Sequence, residues 1–296
     1  MQRHVMVPLD GSKFAETALP TALRLTESPG SSIELVMVQE VGPVFAVEAW
    51  EAAYPEAAGS YLDELTASLE AGDRRIETSV LVGSPVAELE NRARDGDADF
   101  VVMSTHGRGP VSRIWLGSVA NELVRHAPVP MVMVRPEEKK DVDLSHRPDF
   151  SHVLVPLDGS EHAEGILAPA AAFGRDFDAR YTLLRVVRYP DELVSAYVPG
   201  TIQMSQQVVD EGVRDATAYL DRVVARLRTE GLDVEARVVV DSRPASAILC
   251  YAEDHAVDLI AMATHGRTGV QRAVMGSVTD KVVRGAHTPV LVVRPT

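Results

Sequence analysis

VMVPLDGS at residues 5–12 returns as VLVPLDGS at 153–160, an offset of 148. An apolar run of this length closing on Asp-Gly-Ser reads as a buried strand followed by a tight turn. Its recurrence means that the chain is built twice on one plan. Residues 97–136 and 256–295 then align without a gap at an offset of 159, with 18 of 40 pairs identical; STHGR at 104–108 becomes ATHGR at 263–267. The offset grows by 11, so the second copy carries about eleven additional residues somewhere in 187–241. Between the copies, PEEKKDVDLSHRPDF at 136–150 is charged, contains two prolines and lacks apolar periodicity, the composition of a linker. Two domains are expected, at 1–140 and 147–296, with the boundary near residue 146.

Within the first copy, short β-branched runs at 4–9, 33–39, 76–82, 99–104 and 129–134 alternate with helical patterns near 13–27, 57–71, 85–95 and 118–126. The second copy repeats the runs near 152–157, 180–187, 234–240, 257–263 and 289–293. Strands this apolar are buried on both faces, and strict strand–helix alternation requires right-handed crossovers. The fold expected is α/β: two tandem doubly wound domains, each a five-stranded parallel sheet of order 3-2-1-4-5 with helices on both faces. Pro20 and Pro169 lie inside the first helical pattern of each copy, where they kink a helix or end it.

A chain of 296 residues with 46% hydrophobic and 24% charged residues has the composition of a globular protein. No transmembrane run appears, and the N-terminal stretch lacks a signal-peptide hydrophobic region, so a cytoplasmic protein without a membrane role is expected. Cys250 is the single cysteine, which excludes an intrachain disulfide; a buried, inert thiol is expected there. A net charge of −14 repels phosphate backbones and argues against nucleic acid as a partner. A small nucleotide is still allowed if backbone dipoles supply local attraction.

In a doubly wound sheet, ligands bind beyond the carboxyl ends of the strands at the switch in strand order. That rule selects two loops per copy. The first holds Asp10-Gly11-Ser12 or Asp158-Gly159-Ser160; the second runs from Ser104 to Ser118 or from Ala263 to Ser277. Gly107 and Gly109, with Gly266 and Gly269 in the second copy, let the chain bend around a ligand. Gly117-Ser118 and Gly276-Ser277 open a helix with free backbone N–H groups, an arrangement suited to phosphate. Arg108, Arg113, Arg267 and Arg272 add positive charge. Turn chemistry and helix capping alone account for such glycines in one copy, and for Asp10 and Asp158 as well. Retention of Thr-His-Gly-Arg and Gly-Ser-Val in both halves, while neighbouring positions diverge, favours a ligand in both.

These residues resemble the universal stress protein family in its tandem, ATP-binding form, over nearly the whole chain. Its nucleotide signature, G-x-x-G, nine residues, then G-[S/T], maps onto Ser104 to Gly107 and Gly117-Ser118, and onto Ala263 to Gly266 and Gly276-Ser277. The first glycine is replaced by Ser104 and Ala263. The resemblance implies adenine contact at Asp10 and Asp158, apolar contact at Val38 and Val186, and a G-x-P turn at Gly83-Ser84-Pro85, replaced by Ser242-Arg243-Pro244 in the second copy. With the flanking positions Pro8, Met103, Val119, Pro156, Met262 and Val278, these form the candidate nucleotide-binding set. ATP or a related adenine nucleotide is implied at two sites per chain, with Mg²⁺ able to accompany it. Also implied are pairing through the last strands, in a homodimer or within one chain, and regulation of an unidentified protein partner.

Fast phosphoryl transfer lacks its usual parts, since there is no Walker lysine and no carboxylate pair spaced for Mg²⁺. The alternative reading is a slow ATPase or nucleotide-processing enzyme, with His106 or His265 as general acid or base. Nucleotidyl-transferase loops H-I-G-H and S-G-G-x-D-S do not occur. A phosphoacceptor receiver needs an aspartate ending strand three, where Val82-Gly83 stands. The remaining histidines show no ligand spacing to one another. Trp50, Tyr54 and Tyr61 occupy the variable segment after strand two, where a lid, an interface and disorder remain open.

Overall fold

Apolar strands that alternate with amphipathic helices bury both faces only as a layered parallel sheet, and each half of the chain builds one. The computed structural model describes residues 2–40, 47–69, 72–105, 116–136, 141–189, 201–264 and 275–294, with the backbone alone for 47–55 and 201–205. The chain divides into two compact units, Met1–Pro148 and Asp149–Thr296.

In unit one the order is β1 (His4–Leu9), α1 (Lys13–Glu16), α2 (Leu19–Leu25), β2 (Ser32–Gln39), α3 (Val47–Ser68), β3 (Arg75–Val82), α4 (Pro85–Asp95), β4 (Phe100–Ser104), α5 (Ser118–His126) and β5 (Met131–Val134). Unit two repeats it as β6 (His152–Pro156), α6 (Glu161–Glu164), α7 (Leu167–Gly174), β7 (Arg180–Val187), α8 (Thr201–Thr229), β8 (Asp233–Val240), α9 (Pro244–Asp254), β9 (Leu259–Ala263), α10 (Ser277–Gly285) and β10 (Val290–Val293). The strand orders are β3-β2-β1-β4-β5 and β8-β7-β6-β9-β10, and the described pairings within each are parallel. The expected 3-2-1-4-5 order is therefore present in each unit. Val5, Met6, Val7, Val101, Val102, Leu154, Leu183, Ile260 and Leu291 have no exposed surface, while β3 has only half-buried and exposed positions.

The first helix of each copy is two helices rather than one. Pro20 would clash with the carbonyl of Glu16, four residues earlier, and Glu16 is where α1 stops; Pro169 stands in the same relation to Gly165, the C-cap of α6. Each proline instead lies in the first turn of the following helix, where its missing N–H would have no partner anyway. The segment carrying Trp50, Tyr54 and Tyr61 is the helix α3, ten residues longer at its start than the periodicity suggests.

Strand register locates the additional residues of the second copy. β2 and β7 remain related by 148, but β3 and β8 are related by 158 and α4 and α9 by 159. The buried stripe Ala58, Leu62, Leu65 and Leu69 of the first copy matches Ala216, Leu220, Val223 and Leu227 at 158. Ten residues thus precede this stripe, and the eleventh lies in the turn between β8 and α9.

Candidate functional site

The opening at the carboxyl ends of the strands is set by the main chain. β1 pairs with β2 as far as Leu9 opposite Met37, but with β4 only at Val5 opposite Phe100 and Met6 opposite Val101. Arg3 O accepts from Ser32 N on the β2 side, and His4 O from Asp99 N on the β4 side. Even-numbered residues of β1 therefore face β4, and the next in line is Pro8, which has no N–H to donate. The same break occurs in unit two. Leu157 N donates to Leu184 O of β7, so Pro156 faces β9, and the β6–β9 pairing stops at Leu154 opposite Ile260. Beyond that point the central strands part, at the switch in strand order where a ligand crevice is expected.

One wall is the turn after the first strand. Asp10 Oδ1 accepts from Ser12 N at 2.9 Å and from Ser12 Oγ at 2.6 Å, and Ser12 Oγ accepts from Ala15 N at 3.2 Å, capping α1. Asp158, Ser160 and Ala163 repeat this at 3.0, 2.5 and 3.1 Å. The intervening Gly11 and Gly159 have φ of 77° and 82°, a left-handed conformation that favours glycine. The aspartates are thus turn formers in both units, and Asp158 also lines the cavity described below.

The opposite wall is the entry to α5 or α10. Gly117 N donates to Thr105 O at 2.9 Å and Gly276 N to Thr264 O at 2.7 Å. The expectation of free N–H groups is corrected at these two glycines, whose donors are used; the N–H groups of the first helical residues still lack an intrahelical acceptor. The φ values, −55° and −56°, are open to any residue. A Cβ added to Gly117 would meet, among the described residues, only Thr105 O at 3.6 Å, an ordinary contact. Neither backbone strain nor packing of the described residues demands glycine there. Gly107, Arg108, Gly109, Gly266, Arg267 and Gly269 lie outside the described residues, as do His106, His265, Arg113 and Arg272.

Unit two has a half-open cavity of about 770 Å³ between these walls. Pro156, Asp158, Val186, Met262, Ala263, Gly276, Ser277 and Val278 all line it. Its volume falls within the usual range for small-molecule sites, about 300–1,000 Å³. Arg185 and Arg188, at and just beyond the end of β7, also line it, as do Gly212, Asp215, Ala216, Tyr219 and Arg222 of α8. Sequence reasoning missed this wall. Its signal was the i, i+3, i+4, i+7 spacing of 212, 215, 216 and 219 on one helix face. Burial and the neighbouring Glu164 carboxylate raise the Tyr219 hydroxyl above its ordinary pKa, so it remains a donor, and it bonds Glu164 Oε1 at 3.1 Å.

In unit one, Pro8, Met103 and Ser104 are buried, Val38, Asp10, Gly117 and Val119 are half-buried, and Ser118 is exposed. The turns after β3 and β8 differ. Gly83 N donates to Gln39 O at 2.9 Å, and Gly83 has φ of 152°. In unit two the corresponding donor is Asp241, bonded to Val187 O at 3.0 Å, whose Oδ1 accepts from Arg243 N at 2.7 Å. Ser242 is part of this longer turn and does not line the cavity, whereas Pro244 does. Among the described residues no group of three or more His, Cys, Asp and Glu could hold a metal ion, and no helix is long and apolar enough to cross a membrane. Cys250 is exposed rather than buried: it lies on the outer face of α9.

The family model for the universal stress protein family matches residues 1–135 and 149–294. Two curated universal stress proteins of Mycobacterium tuberculosis are 28% and 29% identical to this chain, over 99% and 98% of it and 97% and 96% of their own lengths. A crystal structure of a universal stress protein from Archaeoglobus fulgidus is similar in fold, with a TM-score of 0.74 at 20% identity, covering 99% of this chain and 98% of that one.

Proposed function

The chain belongs to the universal stress protein family, and from that premise we propose that each unit binds an adenine nucleotide, foremost ATP, at the carboxyl ends of its strands. Occupancy, rather than rapid turnover, is the output: the nucleotide-bound state alters how the protein docks onto an unidentified protein partner in a cytoplasmic stress response. Assembly through the last strands belongs to the same reading.

The observation that carries it is the convergence, around the unit-two cavity, of residues from two distant loops and a strand end: Asp158, Val186, Ala263, Gly276 and Ser277. In this reading the purine base lies between the Asp158 turn and Val186, and the phosphates lie at the entry to α10, where the helix dipole and the first N–H groups favour an anion. Gly117 supports the same assignment in unit one, because the space beside its Cα is left open by the described residues. Mg²⁺, where present, arrives with the nucleotide, and the phosphate oxygens supply most of its ligands.

The test is mass spectrometry of nucleotide released from freshly purified protein, followed by calorimetry of the stripped chain. Up to two adenine nucleotides per chain are expected. Saturation at zero sites would overturn the proposal.

A further inference from the structure

The two units do not offer a nucleotide the same charge. Arg185, Arg188 and Arg222 line the unit-two cavity on the side of β7 and α8. Strand register places Met37 and Glu40 opposite Arg185 and Arg188, at the offset of 148 that relates β2 to β7. On the helix, the shared buried stripe and the paired Tyr61–Glu16 and Tyr219–Glu164 hydrogen bonds fix the offset at 158, so Glu64 stands where unit two has Arg222. Three guanidinium groups in one unit thus correspond to one thioether and two carboxylates in the other.

The strand-four loops do not compensate. Their arginines are matched in sequence, Arg108 with Arg267 and Arg113 with Arg272, so the difference falls on the wall away from α10. Arg185 is half-buried and donates to Leu157 O at 3.2 Å, which uses one of its five donors and fixes the side chain at the cavity wall. Arg188 and Arg222 are exposed at the rim, where their charge acts on a ligand through partly screened solvent. Asp158 and Asp215 offset part of this charge. Unit one has an equivalent of the first in Asp10, while Ala57 matches the second, so the balance between units still differs by several charges.

Resting on the nucleotide reading above, we infer that unit two is the high-affinity site for the multiply charged nucleotide, and that unit one discriminates against negative charge and accepts a nucleoside or monophosphate comparatively well. The protein then fills in order, unit two at low ATP and unit one only at high ATP.

The full chain, stripped of nucleotide, tests this with ATP and adenosine as probes. Gly117→Asp isolates unit two and Gly276→Asp isolates unit one. In calorimetry at low salt, ATP should bind the Gly117→Asp protein at least about tenfold tighter than the Gly276→Asp protein, a difference of about 1.4 kcal/mol. Adenosine should differ between them by less than about threefold. Exchanging the unit-two wall for that of unit one, R185M with R188E and R222E in the Gly117→Asp background, should remove the ATP advantage and flatten its salt dependence. An R188E/R222E pair, both positions exposed, should produce most of that loss with an unchanged circular dichroism spectrum. Equal ATP affinity in the two isolated units, or no effect of the exchanges, overturns the inference while leaving nucleotide binding intact. Absence of ATP binding in the unmodified chain overturns both.

Discussion

The Tyr219 hydroxyl donates to Glu164 Oε1 at 3.1 Å, tying the long helix α8 to the short helix that follows the Asp158 turn. Tyr61 and Glu16 make the same bond at 3.1 Å in unit one. Two hydrogen bonds at matched positions, each joining the long helix of its unit to the short helix after the first strand, make this a device of the fold rather than of one copy. Tyr219→Phe should destabilise unit two by about 1 kcal/mol, lowering its melting temperature by a few degrees. Because burial, then Glu164, raises the folded-state pKa of Tyr219, this stability is present below the unfolded value of about 10 and is lost as pH rises above it. A denaturation series above neutral pH should show an alkaline decline in the parent that is reduced in Tyr219→Phe.

Gly117→Asp with Gly276→Asp should abolish nucleotide binding and spare the fold. Both φ values suit any residue, and aspartate is a good N-cap. A carboxylate about 4 Å from one phosphate charge costs about 4 kcal/mol at an effective dielectric near 20, about a thousandfold in affinity. Ser118→Ala with Ser277→Ala keeps the backbone donors and should weaken binding far less. Normal calorimetric binding by a folded double-aspartate protein would place the phosphates elsewhere.

Turnover should be slow. Among the described residues no group of three or more His, Cys, Asp and Glu could hold a metal ion against a γ-phosphate, and the two carboxylates that line the unit-two cavity, Asp158 and Asp215, are all that those residues offer there. Phosphate release from ATP by the purified chain should stay well below about 1 per second, the lower end of ordinary enzyme rates. A steady-state rate above that would favour the reading in which His106 or His265 acts as a catalyst.

Glu34 is almost wholly buried, with Oε1 accepting from Ser79 Oγ at 2.6 Å and from Arg92 Nε at 2.7 Å. Arg92 is partly exposed, and its bond to Glu34 raises its pKa. Removing the two partners should therefore cost unequal amounts. Arg92→Leu leaves a buried carboxylate with the Ser79 hydroxyl and the nearby His4 ring, 3.8 Å away, but no guanidinium, and should cost about 3 kcal/mol, the lower end for breaking a buried pair. Glu34→Gln returns the guanidinium to water and should cost only about 1–2 kcal/mol. Urea denaturation of the two variants gives the order, and the reverse order would refute the assignment of Glu34 as the dependent partner.

His152 has its pKa lowered by burial, with Arg180 adding to the shift, and one ring nitrogen lies 2.9 Å from Thr182 Oγ1. A base whose folded pKa is depressed contributes stability above its unfolded value, about 6.5, that is lost as pH falls below it. Amide exchange in β6 and β7 should therefore accelerate as pH falls below about 6.5, after correction for intrinsic rates, and His152→Gln should suppress the change.

Much of this was legible in the chain. The β-branched runs place each strand of the core to within two residues, because a strand buried on both faces is mostly apolar, with polar exceptions such as Glu34 and Thr182 that find partners inside. Pro20 and Pro169 announced the breaks in the first helices but not which side of each break the proline occupies. The α8 wall was missed although the spacing of 212, 215, 216 and 219 puts them on one helix face, because nothing in Gly, Asp, Ala and Tyr marks which face of a helix meets the strand ends. The eleventh residue escaped because a gapless alignment at 159 pairs Gly83 with Ser242, while the hydrogen bonds pair it with Asp241.

Pro8 and Pro156 each stop a ladder by lacking a donor, so the opening beside them exists before any lining side chain is chosen. Selection can then rewrite the lining of one copy without rebuilding its frame. A repeated chain thus carries two openings on one strand plan, free to diverge in their linings, as Arg188 and Arg222 of one copy have from Glu40 and Glu64 of the other.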